Sequence, residues 1–155
     1  MGNAHQVLED HLRAGRLDPA EAMARHMLET NANDALAHVA WARIAAQRGS
    51  VDEGIRRLER LLSQQPKHPN GLAWLAVMWG DKGDNERALL LARRAVGLGA
   101  RVAQTDVMLG DDALLRGDLD EALAFFDRAV AEDARVAAGW VGRGRVQRAR
   151  AQLAE

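Results

Sequence analysis

The sequence contains no cysteine and no tyrosine, and it has only two phenylalanines and three prolines. Without cysteine the chain can have no disulfide framework, no thiolate metal site and no cysteine nucleophile. An excess of one charge is also lacking, because 22 acidic residues balance 21 basic ones, which argues against a dedicated nucleic-acid-binding protein. No apolar run approaches the roughly 18 residues of a membrane span. We therefore expect no membrane span and favour a cytoplasmic location, or a periplasmic one if a signal peptide has been removed.

Alanine, leucine and arginine, all strong helix formers, dominate what is present. No long alternating run of β-branched residues supports a strand, so the composition predicts an all-α protein. Four glycines recur at intervals of 34 residues without any insertion: Gly15, Gly49, Gly83 and Gly117. Apolar residues on both sides of each glycine follow the spacing of an amphipathic helix, which predicts one helical hairpin per interval.

Residues at other fixed distances from the glycines also recur in each 34-residue unit, and we call each such set of equivalent positions a column. The fifth residue after each glycine is small, which predicts close packing of two helices there: Ala20, Gly54, Ala88 and Ala122. The third residue after each glycine is acidic: Asp18, Asp52, Glu86 and Asp120. We expect these carboxylates to start the second helix of each hairpin by accepting hydrogen bonds from its free N–H groups. The glycine itself is expected to end the first helix in the left-handed conformation.

A 34-residue helix–turn–helix unit with these columns resembles the tetratricopeptide repeat (TPR). The third unit carries the pattern well, with Leu75, Ala76, Trp79, Gly83, Ala88 and Ala95 in place. The resemblance implies a single domain over residues 1–155, folded as an all-α, right-handed α-solenoid of stacked hairpins. Its units would be 1–34, 35–68, 69–102 and 103–136, followed by a terminal helix over 137–155.

The resemblance also implies that the first helices of the units line a concave groove, the surface with which such proteins hold a peptide or a partner helix. The residues carried over to that groove are Val39, Arg43, Gln47, Ala73, Trp74, Val77, Asp81, Val107, Asp111 and Leu114. Their mixture of apolar and charged groups favours an amphipathic or partly apolar protein segment as partner. Trp74 either anchors that partner or packs against a neighbouring helix.

One known use of the family is not predicted here. Family members that clamp the C-terminal carboxylate of the chaperones Hsp70 and Hsp90 have Lys at position 5 and Asn at position 9 of a repeat. Position 5 of the four units holds His5, Val39, Ala73 and Val107. We therefore expect no carboxylate clamp of that kind.

Residues for catalysis or metal binding are not grouped in the sequence. The five histidines fall on different faces of the repeat, so we predict no metal site, no cofactor and no enzymatic activity within these residues. The sequence predicts a protein–protein interaction scaffold or adaptor, for example in the assembly of a bacterial multiprotein complex. Two alternatives stay open: an interaction module of a larger enzyme or assembly factor, or a self-associating unit. The latter would form a homodimer through Trp140 of the terminal helix, for which no following helix provides cover.

Overall fold

The computed structural model describes residues 2–155, and these residues form nine α-helices and no strand. The helices are α1 (Gly2–Arg13), α2 (Leu17–Thr30), α3 (Ala35–Gln47), α4 (Val51–Gln64), α5 (Pro69–Asp81), α6 (Asn85–Gly97), α7 (Ala103–Leu115), α8 (Leu119–Glu132) and α9 (Ala137–Ala154). Each odd-numbered helix packs on the even-numbered helix that follows it, and α9 closes the array on α8. This is the predicted all-α solenoid of helical hairpins. None of these helices is both long and apolar enough to cross a bilayer.

The repeated glycines end the first helix of each hairpin as predicted. Gly15, Gly49, Gly83 and Gly117 have φ angles of 69°, 89°, 87° and 79°, in the left-handed region that side-chain-bearing residues rarely adopt. After Gly49, for example, the N–H of Ser50 returns to the carbonyl of Ala45 at 2.8 Å. This bond satisfies a carbonyl at the end of α3 and turns the chain into α4.

The repeated carboxylates do not cap the second helices, contrary to the sequence prediction. The side-chain caps of α6 and α8 are two residues earlier, where Asp84 and Asp118 accept hydrogen bonds from the N–H groups of Arg87 and Glu121. The predicted residues lie in the first helical turn instead. Three of them form ion pairs with the next hairpin or terminal helix: Asp18 with Arg48, Asp52 with Lys82 and Asp120 with Arg150.

Small residues allow the helices to approach closely, and the space they leave is filled by larger neighbours. A Cβ atom built on Gly54 would lie 2.8 Å from the carbonyl oxygen of Ala42 on α3. Farther along the chain, the fully buried ring of Phe126 packs against both Gly110 and Gly142. The small residues that recur in the sequence therefore lie where the two layers of helices contact each other.

The odd-numbered helices lie side by side, α1 against α3, α3 against α5, α5 against α7 and α7 against α9. They form the inner, concave row, and the even-numbered helices form the outer, convex row. The first helix carries exposed polar side chains, among which Gln6 donates a hydrogen bond to Asp10 at 3.0 Å.

Candidate functional site: a concave cavity

A cavity of about 700 Å³ lies on the concave side. Its walls come mainly from α1, α3 and α5, and it is completed by the start of α7 and the end of α8. The volume falls within the ~300–1,000 Å³ that ligand pockets usually occupy. Trp74 and Val77 supply accessible apolar surface, and charged side chains stand around them. Leu12 and Val39 are only 4% and 3% accessible, so the predicted place of Val39 on the groove surface is corrected.

The structure brings six of the ten sequence-predicted groove residues together around this cavity: Val39, Arg43, Gln47, Trp74, Val77 and Asp81. The other four, Ala73, Val107, Asp111 and Leu114, are not part of its lining. Ala73 is completely buried between α5 and its neighbours, so its predicted place on the groove surface is corrected. Val107 and Leu114 pack against the core around Phe126.

Arg43 is not the exposed partner contact that the sequence predicts, because only 8% of it is accessible. Its Nη1 and Nη2 atoms donate hydrogen bonds to the Glu9 carboxylate at 2.6 and 3.3 Å. Its guanidinium carbon lies 4.1 Å from the centre of the Trp74 ring. A planar cation that pairs with a carboxylate and stacks on an aromatic ring is a recurrent use of arginine. Arg43 therefore joins α1, α3 and α5 below the cavity.

The pairing of Glu9 with Arg43 has a signal in the sequence. Both residues occupy position 9 of consecutive units, and the same position holds Asp111 and Arg145, which pair at 2.7 Å. Opposite charges at equivalent positions of adjacent repeats meet because adjacent inner helices are parallel and in register. Comparing the charges of equivalent positions between units would have found both pairs.

A second set of charges closes one side of the cavity. Arg13 on α1 reaches Glu132 at the end of α8 at 4.0 Å, and Glu132 also accepts a hydrogen bond from Arg101 at 3.0 Å. The first and fourth hairpins thus approach each other across the concave side. Arg101 and Glu132 lie outside the inner helical positions from which the groove was predicted, which is why the sequence interpretation missed them.

Asp81 at the end of α5 differs from the other acidic residues around the cavity. Within residues 2–155 it has neither an ion-pair partner nor a side-chain hydrogen bond, whereas Glu9 and Glu132 are both paired. Partial removal from water raises the pKa of the Asp81 carboxyl above its ordinary value. Asp81 lies at the rim of a smaller pocket of about 170 Å³ between α3 and α5, which we call the side pocket.

The part of the chain that the structure describes holds no group of three or more metal-ligating side chains. Two of the histidines serve local structure instead. His5 contacts the Asp34 carboxylate at 3.1 Å, and the ring of His68 accepts a hydrogen bond from the N–H of Gly71 at 2.9 Å. Burial lowers the pKa of His68 below its ordinary value. His68 is thus an N-cap of α5 in its neutral form.

The terminal helix leaves a tryptophan half exposed. Trp140 is 49% accessible, its indole N–H donates to the carbonyl of Ala134 at 2.9 Å, and Arg143 lies 5.0 Å from its ring. The neighbouring Val141 is 61% accessible. Both are exposed apolar side chains of α9.

No protein-family model matches the chain, and no curated protein matches it. Several solved structures are similar to it. A thermophilic TPR protein from Thermus thermophilus is 24% identical with a TM-score of 0.67, covering 99% of this chain and 88% of that one. PilF of Pseudomonas aeruginosa is 15% identical with a TM-score of 0.69, over 97% of this chain and 69% of that one.

A third similar structure is a chain of the Cut9–Hcn1 hetero-tetramer of the APC/C. It is 16% identical with a TM-score of 0.69, and the match covers 94% of this chain and 29% of that one. At these identities the likeness concerns the fold. Hairpins repeating every 34 residues, with a left-handed glycine in each turn, agree with it. The chain has the fold of tetratricopeptide-repeat proteins.

Proposed function

We propose that this protein is a non-enzymatic interaction module that binds a short, partly apolar segment of a protein partner in its concave cavity. The observation that carries the proposal is the cavity itself, about 700 Å³ and built by α1, α3 and α5. Its apolar wall residues provide the contact area, and its rim provides polar groups that orient a ligand. The Cut9–Hcn1 hetero-tetramer among the similar structures is an assembly of different chains, which supports a protein partner.

The closure of one side of the cavity favours a short segment over a long helix running through the groove. Arg13 and Glu132 bridge the concave side at 4.0 Å, so the inner row is not an open channel along its whole length. A chain terminus, a loop or a few helical turns fits such a space. The proposed role in assembling a bacterial multiprotein complex depends on which partner supplies that segment.

A random dodecapeptide library selected against the full chain tests this function. Val77→Asp and Gln47→Trp each alter the cavity lining, so both should weaken the selected peptides by about tenfold or more. Leu90→Asp is the matched control, since Leu90 is 71% exposed on α6 and lies outside the cavity. Selected peptides that bind all three variants as well as the wild type would refute the cavity as the binding surface. Circular dichroism of each variant verifies that it is folded.

We infer a second candidate function, self-association through α9, from the exposed apolar side chains of Trp140 and Val141. The exposed polar side chains of α1 do not complement these apolar side chains, so a symmetric contact between two copies of α9 is favoured over head-to-tail growth. Sedimentation equilibrium should show a dimer that Trp140→Ala weakens and that Leu90→Ala leaves intact. A monomer at every concentration used would exclude this second function.

A further inference from the structure

The side pocket between α3 and α5 has an apolar interior and a polar rim. Ala46, Val77 and Met78 line the interior together with the ring of Trp74, and Gln47 and Asp81 stand at the rim. Its volume of about 170 Å³ is suited to one large side chain. It opens beside the main cavity, with which it shares Trp74, Val77 and Asp81 among its lining residues.

The positive charges around the side pocket are already paired with carboxylates, whereas one negative charge is not. Arg43 also borders it, but the positive charge of Arg43 is matched by Glu9 at 2.6 Å and its face is covered by Trp74. Lys82, the next residue after Asp81, pairs with Asp52 on α4. The Asp81 carboxylate is therefore the unmatched charge at this rim among the described residues.

We propose that the side pocket receives a lysine or arginine side chain of the bound segment, with its stem against Val77 and Trp74 and its cationic group at Asp81. Long basic side chains combine an apolar stem with a charged end, which is the distribution that this pocket complements. An acidic side chain would meet the Asp81 carboxylate, and a purely apolar one would leave Asp81 partly removed from water without a partner. The inference rests on the proposed function and adds the chemistry of one residue of the partner.

Selection from the dodecapeptide library also tests this inference, through the residues that the selected peptides contain. The peptides should carry a lysine or arginine next to apolar residues. Replacing an arginine at that position by citrulline, which keeps the shape and removes the charge, should weaken binding by about tenfold, as expected for a charge-assisted hydrogen bond.

A double-mutant cycle assigns this effect to Asp81. In Asp81→Asn the arginine and citrulline peptides should bind with nearly equal affinity. The coupling free energy between Asp81 and the arginine charge is then close to the full effect of removing that charge. Glu59→Gln is the matched control, because it removes one negative charge from the exposed surface of α4. The affinity difference between the two peptides should be the same in this control as in the wild type.

The outcomes separate the inference from the proposed function. The inference would be overturned if peptides that need Val77 and Gln47 for binding contained no basic residue. It would also be overturned if replacing arginine by citrulline weakened binding to Asp81→Asn as much as to the wild type. Both results would leave binding in the cavity intact. A selection that yields no peptide dependent on the cavity would overturn both.

Discussion

The guanidinium carbon of Arg43 lies 4.1 Å from the centre of the Trp74 ring, which ties α3 to α5 beneath the concave cavity. The same side chain donates two hydrogen bonds to Glu9 on α1. One residue thus connects the inner helices of three successive hairpins. The shape of the cavity depends on this connection, since each of those helices contributes to its wall.

Arg43→Glu is expected to destabilise the protein, because it removes the partner of Glu9 and places a second carboxylate beside it. We expect the free energy of unfolding to fall by about 2–4 kcal/mol, as for other broken pairs with one buried partner. Urea unfolding followed by circular dichroism measures the change. Arg56→Glu, at an exposed position of α4, should stay within about 0.5 kcal/mol of wild type. Equal effects of the two substitutions would contradict the structural role of Arg43.

Two glycines of α9 should respond oppositely to the same substitution. A Cβ atom on Gly142 would lie 2.3 Å from the Phe126 ring, so Gly142→Ala should cost about 1–3 kcal/mol by overpacking. Gly144 has no atom within 4 Å of the corresponding position, so Gly144→Ala should stabilise the helix by about 0.5–1 kcal/mol. Thermal unfolding of both variants tests this contrast. An increase in the thermal unfolding midpoint for both variants would contradict the close contact of Gly142 with the Phe126 ring.

A buried carboxylate makes stability depend on pH. Asp106 on α7 is 2% accessible, and burial raises its pKa to about 6, although Arg128 at 3.4 Å counteracts part of this effect and Glu132 adds to it. The ordinary value is 3.8, so between about pH 4 and 6 the folded state binds more protons than the unfolded state. The free energy of unfolding therefore falls as the pH rises through this interval, and the full cost of the buried charge is present above it.

Asp106→Asn should remove this cost. At pH 8 the variant is expected to be more stable than wild type by about 1–3 kcal/mol, and near pH 4 the two should be nearly equal. Urea unfolding at pH 4, 6 and 8 gives the comparison, with Asp10→Asn on the exposed face of α1 as control. If the free energies of unfolding of Asp106→Asn and wild type differ by the same amount at all three pH values, Asp106 does not titrate in this interval.

The bridge between Arg13 and Glu132 should hold the first and fourth hairpins together. Because the chain has no cysteine, spin labels can be attached at cysteines introduced at Ala14 and Ala131, both exposed. Electron–electron double resonance should give a narrow distance distribution in this background and a broader, longer one after Glu132→Gln. Glu59→Gln serves as the control. Identical distributions would mean that the helix packing alone sets the closure.

The hairpins, their turns and the inner row of helices could be predicted because each depends on residues that recur every 34 positions. The burial of Val39 and Arg43 could not be read from one unit, since it depends on how far the next hairpin rotates. The closure by Arg13 and Glu132 depends on curvature summed over four hairpins, which small differences in packing between units determine. The predicted caps of α6 and α8 were wrong by two residues, because an acidic residue before the helix start takes that role, and α2 and α4 have no side-chain cap.

The four tryptophans provide the most direct test of the concave cavity as the working surface, because each indole N–H gives its own NMR signal. Trp74 lines the cavity, whereas Trp41, Trp79 and Trp140 lie outside its lining. Titration of the ¹⁵N-labelled protein with a selected dodecapeptide should shift the Trp74 indole signal and leave the Trp140 signal in place. A shift at Trp140 or Trp41 with an unchanged Trp74 signal would contradict binding in the cavity.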